Sequence, residues 1–284
     1  MSPIENVSDT ARWVAVYRAM ESERPDAIFH DPYARKLAGE RGQAIVDEMQ
    51  RGRQMAWPMI VRTAIFDDIV MRKVRGGEVD TVVNLACGLD ARAWRLPLNP
   101  ELRWIDVDLP GILNYKTEML AGIPTNCRYE AITVDLTDAA RRQALFASLG
   151  AQSQRVLVLS EGLLVYLTSE QVAALATDLH AIASFKWWTI DIASPRLLGM
   201  MNKMWGRTVQ AGNAPFLFGP AEGTSFFEPY GWREVEFRST GEEAMRLKRG
   251  MRMLWMWALI GRFLSARKRE EYRRFSGSVL LERV

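Results

Sequence analysis

The sequence predicts an α/β fold in which a mostly parallel, seven-stranded sheet is covered by helices on both faces. Between residues 80 and 194, short apolar runs alternate with helical stretches, the pattern of parallel βαβ units. After residue 194 the alternation stops, and two further strand-like runs close the chain. The length, 284 residues, fits one such domain with extensions, and neither a repeat nor a low-complexity linker divides it. The domain, 1–284, reads in three parts: an N-terminal helical cap (1–78), a core (79–194), and an insertion or lid with a closing hairpin (195–284).

The cap begins with "DTARWVAVYRAMES" (9–22), helical, with arginines opposite an apolar side. "ERPDAIFHDPYARKLAG" follows, broken by prolines into a loop and a short helix. Residues 43–75 read as one or two helices, interrupted near Trp57-Pro58, because proline disfavours a helical conformation in the residue before it. The core strands are expected at 80–86, 103–109, within 128–136, at the start of 155–167, and at 185–194. Helices are expected near 91–95, 110–121, 138–148 and 169–183. Residues 195–228 form an irregular or helical insertion. "WREVEFRS" (232–239) and "GSVLLERV" form an antiparallel pair at one sheet edge, with a long basic helix over 242–274 between them.

Composition narrows the function. Lys and Arg (37) nearly balance Asp and Glu (34) and are mixed along most of the chain, so no nucleic-acid footprint is expected. Two cysteines, Cys87 and Cys127, make neither a disulfide framework nor a CxxC metal motif, and His30 and His180 lie outside any metal spacing. The start lacks a signal-peptide pattern, and the apolar-rich stretch 251–264 is interrupted by arginines and too short to span a bilayer. The expectation is a cytoplasmic protein that neither binds metal nor enters a membrane.

The candidate site begins at "TVVNLACGLDARAWRL" (81–96), a buried strand running into a glycine turn and a helix. Gly88 can take positive φ and let a ligand approach the backbone, and the next helix turns its positive end that way. Asp108 follows twenty residues later, where an acid accepts from ribose hydroxyls in dinucleotide folds. The plainer reading makes it a cap for the helix beginning at Pro110. Asp106, on the same strand, ranks second. Asp135 and Leu136 end the third strand, where carboxylate and backbone can meet an adenine amine or cap a helix. Glu161 ends an apolar strand, where a charge is expensive unless paired or facing a cleft, and Tyr166 can line the same cleft. Arg62 lies on a largely apolar helix; it can clamp a carboxylate or simply sit on the surface. One glycine in the turn, without GxGxxG, suits S-adenosylmethionine better than a dinucleotide.

These motifs resemble the leucine carboxyl methyltransferase family, in particular its bacterial small-molecule branch, which is similar to polyketide carboxyl O-methyltransferases. "TARWVAVYRAMES", "PDAIFHDPYA", "VRTAIFDD", "VVNLACGLDARAWRL", "IDVDLPGILNYK", "VDLTD" and "SEGLLVYLTSEQV" occur in the family's order over about residues 9–180. Gly231-Trp232 fits the family's last hairpin. Ala86-Cys87-Gly88 departs from the usual Gly-Ala-Gly. The resemblance implies a Rossmann-like class I methyltransferase fold and S-adenosyl-L-methionine as cofactor. By that resemblance Arg62 holds the methionine carboxylate, Ala86 and Gly88 offer backbone, and Asp108 binds the ribose. Asp135 and Leu136 frame the adenine, and Glu161 lies near the methionine amine or the methyl-transfer cleft.

The expected reaction is O-methylation of a small molecule, a carboxylic acid or else a hydroxyl compound. A carboxylate is already ionised and needs no base, which matches the lack of an obvious catalytic histidine; Glu161 and Tyr166 would position the acceptor rather than deprotonate it. The acceptor wall is expected from Met200, Met201, Met204, Trp205, Phe216 and Phe218. The rival readings are a protein C-terminal carboxyl methyltransferase, a nicotinamide-dependent oxidoreductase and a non-catalytic binding protein.

Overall fold

The computed structural model describes residues 7–49, 52–211, 214–250 and 265–284. Its sheet has the order β3-β2-β1-β4-β5-β7-β6. The strands are β1 (Thr81–Leu85), β2 (Arg103–Asp108), β3 (Arg128–Thr133), β4 (Val156–Ser160), β5 (Phe185–Ala193), β6 (Trp232–Ser239) and β7 (Ser276–Arg283). The first five run parallel, and β7 lies antiparallel between β5 and β6.

Branched apolar residues explain the central strands. β1 and β4 are buried along their whole length, as strands covered on both faces must be. Their alternate side chains feed two cores. Val82, Leu157 and Leu159 join the layer under the N-terminal helices, and Val83, Leu85, Val156 and Val158 join the opposite layer. Edge strand β3 is largely exposed.

The helices are α1 (Val7–Ser22), α2 (Ala34–Glu48), α3 (Trp57–Arg75), α4 (Arg92–Arg95) and α5 (Pro110–Met119). They continue as α6 (Ala139–Ala151), α7 (Ser169–His180), α8 (Pro195–Ala211), α9 (Thr240–Arg246) and α10 (Ala266–Arg273). α2 is kinked at Gly39, whose φ is 61°. α3 starts at Trp57 with Pro58 in its first turn, where the missing N–H costs nothing. A capping box at Thr168 and Gln171 starts α7. The single long helix expected over 242–274 is not formed. α9 ends at Arg246, and Lys248 takes a φ of 56°, a left-handed conformation that stops a helix. The stretch 251–264 lies outside the described residues.

The strand order locates the ligand crevice. The chain moves outward from β1 through β2 to β3, then returns to place β4 on the other side of β1. Such a reversal leaves a crevice beyond the carboxyl ends of β1 and β4. Those ends carry Ala86-Cys87-Gly88 and Glu161-Gly162. Among the described residues, no helix is long and apolar enough to cross a membrane.

Candidate functional site

The crevice is a cleft walled by α1, α3, the ends of β1, β4 and β5, and residues of the insertion. Of the nine residues selected from sequence, Arg62, Ala86, Gly88, Glu161 and Tyr166 line it. Asp108 adjoins the cleft through Gly88. β3 ends at Thr133, so Asp135 and Leu136 lie just past it rather than ending it, and Asp106 is enclosed in the core.

Ala86 and Gly88 both have positive φ, 50° and 51°, so the turn folds back sharply after β1. The Gly88 N–H donates to Asp108 Oδ2 at 2.6 Å, and the Leu109 N–H donates to Oδ1 at 2.7 Å. Asp108 therefore braces the glycine turn, and α5 has Leu109 rather than Asp108 at its N-cap. Burial pushes the Asp108 carboxyl above its ordinary range, against the pull of those two backbone donors. A Cβ added to Gly88 would lie 3.0 Å from the Ala11 Cβ, so α1 rests directly on the turn. Arg18 secures α1 there, donating to Leu89 O at 2.5 Å and to Asp31 at 2.8 Å.

A chain of ion pairs runs under the cleft. Arg62 donates from Nε to Glu161 Oε1 at 3.1 Å and from Nη1 to Asp191 Oδ2 at 3.0 Å. The other Glu161 oxygen lies 2.8 Å from Arg92 Nη1. Arg92, only 2% exposed, also bonds Asp90 at 2.7 Å and Asp67 at 2.6 Å, and Asp67 takes two bonds from Arg95. Burial alone would raise the Asp67 carboxyl, but Arg95 and Arg92 hold it below the usual range. Burial would likewise lower Arg62, and the charges of Asp191 and Glu161 outweigh it. Every member has a partner of opposite sign, the condition for carrying this much charge indoors.

Asp106, read from sequence as a second ligand acid, is turned away from the cleft. Its side chain has no exposure and pairs with Lys116 Nζ at 2.6 Å, with Asn84 and the Trp104 indole N–H donating to its other oxygen. A ribose cannot reach it. Asp135 is exposed and accepts from the N–H and hydroxyl of Thr137, which hold its carboxyl low, and Leu136 O accepts from Arg142 at 2.6 Å. Asp138 provides the α6 cap, accepting from the Arg141 N–H.

Tyr166 stacks on Phe216 with ring centres 5.6 Å apart and bonds Thr10 through its hydroxyl; burial raises its pKa. Of the six apolar residues expected in the acceptor wall, Met201, Phe216 and Phe218 line the cleft. Met200 points outward, while Trp205 packs edge-on against Trp13.

Asp191 was missing from the sequence-derived set. It lies at the end of β5 between Ile190 and Ile192, so the rule that singled out Glu161, a lone acid closing a buried strand, applied to it equally.

A sequence profile of the leucine carboxyl methyltransferase family matches residues 11–180. The chain belongs to the leucine carboxyl methyltransferase family. The residues of this family match include the glycine turn, Arg62, the Asp108 brace and the Glu161 strand end, and it stops short of Asp191.

Among curated relatives of this leucine carboxyl methyltransferase family member, a protein of Parafrankia sp. is 36% identical over 188 residues, 63% of this chain and 60% of its own. One of Saccharopolyspora erythraea is 34% identical over 193 residues, 64% and 65% of the two chains. Both are provisionally named S-adenosyl-L-methionine-dependent methyltransferases. The matched stretches span about 60–65% of these relatives' length. Fold likeness extends further. A provisionally named methyltransferase from Thermobifida fusca has a TM-score of 0.61 at 14% identity, covering 99% of this chain and 96% of that one. A DUF574 family protein from Streptomyces avermitilis has a TM-score of 0.59 at 14% identity, covering 97% of each chain.

Proposed function

We propose that this chain is an S-adenosylmethionine-dependent methyltransferase that methylates an oxygen, a carboxylate in the first instance, of a small molecule. The observation that carries this reading is the convergence of Arg62, Ala86, Gly88 and Glu161 on one cleft, with Asp108 bonded to the Gly88 N–H. The cleft residues suit the cofactor's parts. Gly88 and Ala86 expose backbone, Asp108 at the end of β2 is a carboxylate without a cationic hydrogen-bond partner among the described residues, and Arg62 lines the cleft with its guanidinium. The cofactor supplies a methyl group on a sulfonium, a leaving group that needs no activation by the protein.

What remains for the chain is positioning. Alignment of two reacting groups is worth about 7–11 kcal/mol at best, enough to carry much of the catalysis. α1, seated on the glycine turn, excludes water from one side, and Met59, Met201, Phe216 and Phe218 give the acceptor an apolar bed. Both Glu161 oxygens are engaged by guanidinium groups, so neither is left open to face an acceptor hydroxyl. That favours an acceptor already ionised at neutral pH, hence a carboxylate over a hydroxyl.

Titration calorimetry with S-adenosylmethionine, S-adenosylhomocysteine and NAD tests the reading. Saturable binding of the first two, lost in Arg62→Ala and Asp108→Ala, is expected, followed by methyl ester formation in a screen of carboxylic acids. Absence of binding, or preference for NAD, removes it.

A further inference from the structure

Building on that function, we propose that Asp191 receives the ammonium group of the cofactor's methionine end, beside Arg62, which receives its carboxylate. Three carboxylates line the cleft near Arg62: Asp90, Glu161 and Asp191. Asp90 is the most heavily bonded, taking the Arg92 guanidinium at 2.7 Å, the Asn84 amide at 2.9 Å and the Arg92 N–H at 2.9 Å. Glu161 has a guanidinium on each oxygen. Among the described residues, Asp191 has one charged partner, Arg62 Nη1, on Oδ2, while Oδ1 accepts only the neutral Gly162 N–H at 2.5 Å. A carboxylate offers about four acceptor sites, so two remain on Asp191 as on Glu161, but of the two acids only Asp191 keeps an oxygen that no guanidinium of the described residues touches. Its side chain is also the more open, 22% exposed against 13% for Glu161.

The neighbouring guanidinium is similarly half-used. Nε and Nη1 of Arg62 face the two acids, whereas Nη2 donates to no other described residue. Gly162 makes the arrangement possible: its φ is 69°, and a Cβ there would lie 3.0 Å from Nη1 and 3.1 Å from Nη2. The pair therefore presents one anion and one cation 3.0 Å apart at the cleft wall. An α-amino acid presents the complementary cation and anion one carbon apart. Charge-assisted bonds between two such pairs are stronger than neutral ones and fix orientation.

The decisive variant is Asp191→Asn, which keeps an oxygen for the Gly162 N–H and removes the charge. The probes are S-adenosylhomocysteine, which has the amino-acid end, and 5′-methylthioadenosine, which lacks it. The expected result is a Kd for S-adenosylhomocysteine raised at least about tenfold, with 5′-methylthioadenosine unchanged. Retained 5′-methylthioadenosine binding also shows that the cleft is intact. Unchanged S-adenosylhomocysteine affinity, or equal loss of both ligands, overturns the assignment of Asp191. Wild-type protein that binds neither adenosyl ligand overturns the cofactor reading itself, and this assignment with it.

Discussion

Asp106 and Lys116 form an ion pair of 2.6 Å in which neither side chain has any solvent exposure. The Lys116 ammonium also lies 5.6 Å from the centre of the Trp94 ring. Burial would lower the Lys116 pKa, but the charges around it, Asp106 first, raise it above the ordinary value. Removing one partner leaves the other charge buried alone. Lys116→Met is therefore expected to cost about 3–5 kcal/mol in urea unfolding. Asp106→Asn should show the same order of loss, while any protein that folds keeps its S-adenosylhomocysteine affinity. Loss of affinity with normal stability would return Asp106 to the binding site.

The two positive-φ residues of the glycine turn predict opposite responses. At Gly88 an alanine meets both a φ of 51° and the Ala11 methyl at 3.0 Å. Left-handed backbone costs a residue with a Cβ about 1–2 kcal/mol, and the contact adds to it. Gly88→Ala should lower the melting temperature and weaken adenosyl ligand binding together. At Ala86, with a φ of 50°, that strain is already present. Ala86→Gly removes it and adds unfolded-chain entropy of about 0.5–1 kcal/mol, so stability should hold or rise slightly. A marked fall in stability for Ala86→Gly would show that its methyl contributes packing beyond the strain.

The contrast between Asp108 and Asp106 also shows what a single sequence reveals. The βα alternation was legible because β1 and β4 are apolar on both faces, and β6 was recovered at Trp232–Ser239. Period two then separates alternate residues but does not say which face borders a ligand. Asp106 and Asp108 share a face of β2, yet only Asp108 lies at its end, beside Gly88. The ion-pair chain was less legible because its members come from distant segments: Arg62 and Glu161 are 99 residues apart, and Arg62 and Asp191 are 129. The break after α9 was missed because the left-handed conformation falls on Lys248, a residue with a Cβ, rather than on Gly250 two positions later.

Acid should weaken the protein in a definite direction. Burial would raise the Asp67 and Asp90 carboxyls, but neighbouring cations prevail, Arg95 and Arg92 for Asp67 and Arg92 and Lys116 for Asp90, and hold both below the usual carboxylate range. Such groups contribute stability above the unfolded value, and it is lost as pH falls through the folded one. Asp108 is shifted upward by burial, so its contribution has the opposite sign and favours the fold at low pH. With Asp135, also held low, three depressed acids stand against the one raised. Melting temperature is therefore expected to decline as pH drops below about 4, the window in which unfolded carboxylates take up protons. A melting temperature that holds or rises on acidification would contradict the paired state of Asp67 and Asp90.

Gly231 and His180 offer a test of the hairpin's docking. Gly231 has a φ of 80°, and a Cβ there would meet the His180 ring at 2.3–2.7 Å. The same ring lies edge-on to Trp232, whose indole N–H donates to Ala176 O at 3.0 Å. Gly231→Ala thus carries two costs, a clash with a ring packed under the hairpin and left-handed strain. In a His180→Ala background the clash disappears and the strain of about 1–2 kcal/mol remains. The double-mutant cycle should therefore show coupling, with Gly231→Ala costing clearly less when His180 is absent. Additive costs would mean that the hairpin backbone moves aside, and that Gly231 is required for its φ alone.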